Sequence, residues 1–408
     1  MHALLHWAHL NAYRAGVLAY WLAAVCGALG GLGCLGALVA FFARFRPVAA
    51  TEAPLPWATL ALIVPIKGAD AHTEDHLTRL VTSDTPLATE YLIAMESEDD
   101  PAFAIAQRVA ATHPDQRVRT LVTGPAYGKL GKQHNLAVAV AHTPAEVIGS
   151  MDADIAVAAD IVVPLLRALA QRNVGVAYCL PCYVGGGPLG GALVALYTNY
   201  SISPNLGALA LSGNQPFTIG SLWLIARATL ERIGGLEQFG DTVSDDAAIG
   251  AAVARAGLRN VLAGRTVAIP FEPLDLAGGM RHLSKWVALL RAEGLGTYLL
   301  ALLTWHPMLW STLALVAGLG LRARYPALAG LALALLTVAV AARVGGGLVL
   351  DRVFYQRRGW LPLALIPYEL LIVPVLFGAG FVRRSIVWRG RRYWIGAHGA
   401  IRRSQAVG

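Results

Sequence analysis

Long apolar stretches lie at both ends of the 408-residue chain, and a segment with shorter periods lies between them. No residue from Ala15 to Ala43 is charged, and a helix of that length crosses the roughly 30 Å of hydrocarbon in a bilayer. A cleaved signal peptide has a shorter apolar core. The pattern therefore predicts a retained membrane anchor over residues 1–46, with an interfacial stop at Phe41, Phe42, Arg44 and Arg46.

Three further apolar stretches predict a C-terminal bundle of two to three membrane segments over residues 297–382. They are Thr297–Leu321, Pro326–Leu350 and Leu361–Val382. The last one contains Pro367, Glu369 and Pro374, so we expect it to be broken or re-entrant.

Positive charge flanks these segments and bears on their topology. A basic tail, residues 383–408, begins with Arg383, Arg384, Arg389, Arg391 and Arg392. The positive-inside rule places this tail and the end of the anchor in the cytoplasm. Three full crossings after a cytoplasmic middle would leave the tail outside, so we expect the last segment not to cross fully.

Short β-rich runs alternate with helical periods between about Thr51 and Pro270. The predicted strands are Ala58–Pro65, Glu90–Glu96, Val118–Val122, Val147–Met151 and Val174–Leu180. The predicted helices are Pro101–Thr112, Lys132–Ala141 and Ile161–Arg172. This alternation predicts an α/β domain over residues 51–275, with a mostly parallel sheet.

Polar residues follow the strands, where parallel sheets bind their ligands. Pro65 and Lys67 end the first strand, and Glu96, Ser97 and Glu98 end the second. Asp152 and Asp154 follow the fourth strand, and Lys132 belongs to a Gly- and Lys-containing segment suited to phosphate. The sequence thus predicts one polar site at this edge of the sheet.

Asp152 and Asp154 stand on alternate residues at a strand end. Two such carboxylates suit a hard divalent cation, Mg²⁺ or Mn²⁺, that bridges a diphosphate. Many such pairs are only solvated turns, so it is the position after a buried strand that favours a metal site.

Asp245 and Asp246 open a helical run, Asp245–Ala256. One interpretation is an N-terminal cap with a favourable helix dipole. The other makes Asp246 a general base for an acceptor hydroxyl. Their spacing leaves both interpretations open.

Two helical stretches combine apolar residues with polar and aromatic ones. Residues 276–296 predict an interfacial amphipathic helix that carries His282, Lys285 and Trp286. Gly190–Leu211, with Tyr197 and Tyr200, fits an interfacial helix that receives a lipid acceptor. A buried helix of the sheet domain fits the same residues.

Composition agrees with a membrane protein and excludes several classes. Hydrophobic residues make up 56% of the chain and charged residues 14%, whereas soluble domains have about a quarter charged. Lysine and arginine outnumber acids by 33 to 25, but they cluster beside apolar segments, which indicates anionic lipid rather than nucleic acid. No Walker pattern is present, which argues against an ATPase. Many Ala, Gly, Leu and Arg residues favour a bacterial source, hence the bacterial cytoplasmic membrane.

Taken together, the motifs resemble the ceramide glucosyltransferase family of membrane enzymes. The resemblance runs from Leu62 to Trp394. It rests on Val64–Asp70, Glu98–Ala102, Lys132–Leu136, Asp152, Gly234–Leu236, Asp246 and Trp388–Tyr393.

This resemblance implies a sheet of the glycosyltransferase A type and inverting transfer of glucose from UDP-glucose to ceramide, in the cytoplasm. It implies that Asp246 is the base, beside Asp245. Asp154, a second acid that the animal members lack, favours a metal ion bound by Asp152 and Asp154. The implied donor-binding residues are Pro65, Lys67, Glu96, Ser97, Glu98, Lys132, Asp152, His282, Lys285 and Trp286. Tyr197 and Tyr200, on the stretch that fits an acceptor helix, are the predicted acceptor-binding residues.

Two departures from the family pattern keep alternatives open. Ser97 stands where the family has its first aspartate, and His282-Leu-Ser-Lys285-Trp286 replaces a Gln/Arg-x-x-Arg-Trp motif. A hopanoid-lipid N-acetylglucosaminyl transferase and a non-catalytic lipid-binding relative are the alternatives. A transporter is not indicated, because there is no internal inverted repeat.

Overall fold

A computed structural model describes residues 2–44, 54–209, 217–271, 273–355, 357 and 359–407. Arg46 of the predicted anchor and residues 210–211 of the predicted acceptor helix lie outside these ranges. The strands are β1 Thr59–Pro65, β2 Ala88–Met95, β3 Arg117–Val122, β4 Val147–Met151, β5 Val174–Val184, β6 Leu222–Ala226, β7 Arg259–Pro270, β8 Ser385–Trp388, β9 Arg391–Ile395 and β10 Ile401–Ala406.

The α-helices carry the longer apolar segments and alternate with β1–β5. They are α1 His2–Arg44, α2 Thr73–Val81, α3 Pro101–Thr112, α4 Gly131–Ala141, α5 Val162–Leu169, α6 Leu189–Tyr197, α7 Ser203–Leu209, α8 Arg227–Arg232, α9 Asp245–Arg255, α10 Leu276–Glu293, α11 Leu295–Thr304, α12 Pro307–Gly320, α13 Pro326–Val340, α14 Gly346–Val349, α15 Leu365–Pro367 and α16 Val373–Val382. π-helical turns occupy Thr198–Ile202, Ala341–Gly345, Leu350–Phe354 and Tyr368–Ile372, and 3₁₀ turns occupy Glu237–Asp241, Leu361–Ala364 and Ala397–Gly399.

These elements form two compact units, each built from three chain segments. The helical unit comprises Met1–Phe41, Pro188–Asn205 and Leu274–Val382. The sheet unit comprises Phe42–Gly187, Leu206–Pro273 and Arg383–Gly408. Residues 188–205, inside the predicted 51–275 domain, thus belong to the helical unit, and the basic tail belongs to the sheet unit.

The sheet unit contains a seven-stranded sheet in the order β3-β2-β1-β4-β6-β5-β7. β1 pairs in parallel with β2 and β4, β2 with β3, and β5 with β7. β6 runs antiparallel to both of its neighbours. The prediction of a mostly parallel α/β sheet is confirmed, although β6 and β7 were not predicted.

The central strands are buried because their residues are continuously apolar. Leu60, Ile63 and Val64 of β1 are fully buried, as expected for a strand covered on both faces. Gly149 of β4 permits close packing, since a Cβ there would lie 2.5 Å from Leu62 Cδ2. The parallel register brings the C-terminal ends of β1, β2 and β4 to one edge.

The basic tail is not an extended surface segment. Its residues form a second, antiparallel sheet in the order β10-β9-β8. Ile386 and Tyr393 are buried, whereas Arg392 is exposed. The tail therefore follows the alternation of a half-buried strand, which its many arginines obscure in the sequence.

Among the described residues, three helical stretches are long and apolar enough to span a membrane. They are Asn11–Ala43, Pro326–Phe354 and Leu361–Val382. Leu295–Thr304 and Pro307–Gly320 are bent by 69° at the break between them and make a possible fourth span. The interruption expected in the last segment thus lies in the first of the three C-terminal ones, because Pro307 starts a new helix there.

Candidate active site

The predicted polar residues of the sheet unit meet at one edge of the large sheet. Pro65 ends β1, and Lys67 follows two residues later. Glu96 follows β2 directly, and the Lys67 ammonium lies 3.4 Å from its Oε1. Asp152 follows β4 directly. The parallel pairing explains this arrangement, since it aligns the strand ends that precede these residues.

Lys132, in the first turn of α4, connects the strand edge to the catalytic candidate Asp246. Its Nζ lies 2.5 Å from Asp152 Oδ1 and donates to the Gly220 carbonyl at 3.2 Å. The amide of Gly220 donates to Asp246 Oδ2 at 3.1 Å. A Cβ at residue 220 would lie 3.2 Å from the Lys132 Nζ and 3.3 Å from Asp246 Oδ2. A glycine therefore allows the two charged groups to approach this backbone.

Asp245 and Asp246 begin α9 but occupy different environments. Ser244 is the N-cap residue, without a side-chain cap bond, so Asp245 is not the cap. The Asp245 carboxylate is buried and accepts from Gln133 Nε2 at 2.6 Å. Asp246 is half-buried, and its Oδ1 accepts from the Ala247 amide at 2.8 Å. Asp245 is thus held inside the fold, while Asp246 remains accessible.

The surroundings of Asp152 and Asp246 raise the pKa values of both carboxyl groups toward neutral pH. Burial, with repulsion from Asp245, raises the pKa of Asp246 to about 7, although the Lys132 ammonium opposes the rise. Burial raises the pKa of Asp152 to about 6, with Lys132 opposing and Asp154 adding to the shift. Burial alone would lower the pKa of Lys132, but the carboxylates of Asp152, Asp245 and Asp246 raise it overall. A carboxylate with a pKa near 7 suits a general base at physiological pH.

Asp152 and Asp154 offer an incomplete set of metal ligands. Asp154 Oδ1 is buried and has no hydrogen-bond partner within the described part of the chain. Across those same residues, no group of three or more His, Cys, Asp or Glu residues could hold a metal ion. Mg²⁺ typically binds to one or two carboxylates plus waters and substrate phosphates. The two aspartates fit a cation of that kind, which takes its other ligands from a bound diphosphate.

Three residues that the sequence grouped together have different environments in the acidic turn after β2: Glu96, Ser97 and Glu98. Ser97 Oγ accepts from the Asp99 amide at 3.1 Å and so belongs to the turn itself. Glu98 is exposed. Glu96 is the ion-paired residue, bound to Lys67 on one oxygen and to Arg391 on the other.

The remaining predicted site residues belong to the helical unit. His282, Lys285 and Trp286 lie on α10, and the Trp286 ring is 4.7 Å from His282 and 6.0 Å from Tyr197. The Tyr200 hydroxyl donates to Asp351 Oδ1 at 2.7 Å and accepts from Arg357 at 2.6 Å. Tyr200 is thus part of a buried polar network.

Three residues of the site were not singled out as site residues from the sequence: Gln133, Gly220 and Arg391. Gln133 and Arg391 lie within motifs shared with the family, which was the available signal. Gly220 has no such signal, because its importance comes from the approach of Lys132 and Asp246 to its backbone.

Three solved structures resemble the chain at low sequence identity. "Mannosyltransferase PcManGT from Pyrobaculum calidifontis in complex with GDP-Man and Mn2+" is 18% identical, with a TM-score of 0.49, over 88% of this chain and 98% of that one. GalNAc-T7 with UDP, GalNAc and Mn²⁺ is 12% identical, with a TM-score of 0.41, over 59% and 48%. S. aureus TarS 1–349 is 11% identical, with a TM-score of 0.37, over 86% and 100%.

Family membership follows from the sequence as a whole. No curated protein sequence matches the chain significantly. The sequence model of glycosyl transferase family 21 matches residues 21–401, which is nearly the full length. The chain belongs to glycosyl transferase family 21.

Proposed function

We propose that this glycosyltransferase transfers a hexose, preferably glucose, from a UDP-sugar to the hydroxyl of a ceramide-like lipid with inversion. The observation that supports this most is the Asp246 carboxylate. It is half-buried, has a pKa of about 7 and is linked through Gly220 and Lys132 to Asp152 at the strand edge. The product is a glycosylceramide.

The donor binds at the C-terminal ends of β1, β2 and β4. Lys132 and Lys67 provide positive charge toward the diphosphate, and Glu96 accepts hydrogen bonds from the nucleoside. Asp152 and Asp154 hold a divalent cation, Mg²⁺ or Mn²⁺, which when bound offsets negative charge on the departing diphosphate. Pro65, Ser97 and Glu98 shape the turns that surround the donor.

Asp246 removes the proton from the acceptor hydroxyl while that oxygen bonds to the anomeric carbon. The bond from the anomeric carbon to the UDP oxygen breaks at the same time, and UDP leaves with the electron pair. The proton stays on Asp246 until solvent removes it. Attack opposite the leaving group inverts the configuration, and one base is sufficient for this step. Asp245 repels charge on Asp246 and keeps it a stronger base.

The helical unit provides the segments that lie in the membrane and the surface that binds the lipid acceptor. Tyr197 is buried, with its ring 6.0 Å from that of the half-buried Trp286, so Trp286 is the more accessible of the two to an amphipathic lipid. Tyr200 acts by ordering the adjoining network, since Asp351 and Arg357 already engage its hydroxyl. His282 and Lys285 are proposed donor ligands on the strength of the family pattern. The enzyme works at a bacterial cytoplasmic membrane, with the sheet unit in the cytoplasm.

A donor and acceptor panel tests the proposal. The detergent-purified chain is incubated with ceramide and, separately, UDP-glucose, UDP-galactose, UDP-glucuronate and UDP-N-acetylglucosamine, with Mn²⁺ or EDTA. We expect glucosylceramide with UDP-glucose and Mn²⁺. A parallel panel contains a hopanoid lipid in place of ceramide. Product formed only there, from UDP-N-acetylglucosamine, would identify the hopanoid lipid as the acceptor. Failure to bind any UDP-sugar would favour a non-catalytic lipid-binding protein.

A further inference from the structure

Arg391 of the C-terminal sheet reaches the donor edge of the large sheet. Its Nη2 lies 2.8 Å from Glu96 Oε2, although 295 positions separate the two residues in the chain. The Arg391 side chain is 23% exposed and that of Glu96 is 14% exposed. Such a partly buried pair is screened by salt much less than a pair of surface charges.

The Glu96 carboxylate is fixed from several directions. Its second oxygen, Oε1, lies 3.4 Å from the Lys67 ammonium. Gly131, the first residue of α4, packs so closely that a Cβ there would lie 2.9 Å from the same oxygen. The carboxylate therefore sits among β1, β2, α4 and β9, and Arg391 is its closer cation.

The same C-terminal sheet also contacts the segment that leads into Asp245 and Asp246. The amide of Val243 donates to the Gly399 carbonyl at 2.9 Å, and Thr242 Oγ1 donates to the His398 carbonyl at 3.1 Å. Gly399 has φ of +71°, and a Cβ there would lie 2.5 Å from Ser244 Oγ. The sheet is thus anchored beside the catalytic helix and holds Arg391 in place.

Neighbouring arginines of the basic tail have different contacts. Residues 383–408 contain seven arginines and no acid, so any acidic partner must come from elsewhere. Arg391 is half-buried on Glu96, whereas the next residue, Arg392, is exposed. Successive strand residues face opposite sides, which makes Arg392 a matched control.

We infer that Arg391 is a positioning residue that fixes Glu96 for recognition of the donor's nucleoside. A hydrogen-bond donor on the ribose or the base needs a hydrogen-bond acceptor at the end of β2. Ser97 Oγ is already hydrogen-bonded within its own turn. Glu96 provides the acceptor, and Arg391 restricts it to one geometry. The inference rests on the proposed function, because it places the nucleoside at the ends of β1 and β2.

Calorimetric titration of UDP into the detergent-purified full-length chain tests this role. Arg391→Gln should weaken UDP binding about tenfold, Arg391→Lys should retain part of the affinity, and Arg392→Gln should bind as wild type does. In transfer assays Arg391→Gln should raise the KM for the donor and leave kcat within about twofold. Equal UDP affinity in Arg391→Gln and Arg392→Gln would overturn the inference.

A double-mutant cycle separates positioning from general stability. Arg391→Gln combined with Glu96→Gln should weaken UDP binding little more than Glu96→Gln alone. If Arg391 only stabilised the fold, the losses of UDP affinity in Arg391→Gln and Glu96→Gln would add in the double variant, even where thermal stability falls. Additive losses would therefore reject the positioning role. A wild-type chain that binds no nucleoside diphosphate would instead contradict the proposed function itself.

Discussion

The ammonium group of Lys132 lies 2.5 Å from the carboxylate of Asp152, although the two residues belong to different elements, α4 and the turn after β4. The same ammonium donates to the Gly220 carbonyl, and the Gly220 amide donates to Asp246. One cation thus connects a proposed metal ligand with the proposed base. A change at Lys132 is expected to affect both donor binding and proton transfer.

The transfer rate should depend on pH through the ionisation of Asp246. The base acts when deprotonated, so kcat/KM should rise as pH increases through about 7, the raised pKa of Asp246. The measurement is a pH–rate profile with saturating Mn²⁺. A profile that is flat between about pH 6 and 8 would contradict the assignment.

The stability of the folded chain should fall as pH rises, whereas the transfer rate should increase. The pKa of Asp246 rises from an ordinary 3.8 to about 7 on folding, so the folded chain binds the proton more tightly than the unfolded chain does. The resulting stabilisation is complete below the ordinary pKa and is lost as pH rises through about 7. Thermal unfolding of wild type and Asp246→Asn across this range measures it. The wild type should lose stability relative to the variant as pH rises, and parallel curves would argue against a raised pKa.

Replacing Lys132 with methionine should move the pH–rate profile. The ammonium lowers the pKa of Asp246, so its removal should shift the acid limb to higher pH. Methionine retains the length of the side chain, which limits the loss of packing. Donor affinity should fall as well, because a cation near the diphosphate is lost. An unshifted limb in Lys132→Met would show that Lys132 does not act on the base.

If Asp154 binds a metal ion, its replacement should weaken UDP binding only when that ion is present. Asp154→Asn should weaken UDP binding about tenfold or more in Mn²⁺ and have little effect in EDTA. Titration of UDP into both proteins, with and without the ion, measures the difference. Asp160→Asn is a suitable control, because the exposed Asp160 carboxylate pairs with Arg265 and not with a residue of the proposed site. Equal UDP binding by wild type with Mn²⁺ and with EDTA would eliminate the metal role.

The helical unit contains a buried ion pair that should be essential to its stability. Arg343 Nε lies 2.5 Å from Glu369 Oε1, with side-chain exposures of 5% and 0%. Arg343→Leu should destabilise the unit by about 3–5 kcal/mol, because it leaves an uncompensated buried charge. Unfolding in mixed micelles measures the loss. The double variant Arg343→Leu/Glu369→Leu should recover part of it, and a double variant no more stable than the single one would contradict this explanation.

Much of the sheet unit was predictable because its central strands are short, apolar and followed by acids. Val147–Met151 and Pro101–Thr112 match the structure at both ends. β8–β10 were not predicted, since the arginines of the tail suggested a membrane-surface segment. Their packing depends on contacts with residues distant in the chain, such as that of Arg391 with Glu96.

The candidate site was predictable where a residue carries its own chemistry, and not where its role comes from a distant partner. Lys132 contacts Asp152 at the strand edge where the sequence placed both, whereas Asp246, for which the sequence left a helix cap and a base open, is linked to Lys132 through Gly220. The burial of Asp245 depends on Gln133, and the role of Glu96 depends on Arg391. No local pattern encodes such pairs, because the fold alone brings them together.

The proposed mechanism depends on Asp246 as the base in transfer from a UDP-sugar to a lipid hydroxyl. It is tested most directly by measuring glycolipid formation and UDP affinity together for wild type and Asp246→Asn. If Asp246 is the base, turnover should fall by about 100-fold or more while UDP affinity changes less than about twofold. Turnover in Asp246→Asn equal to that of wild type would contradict it.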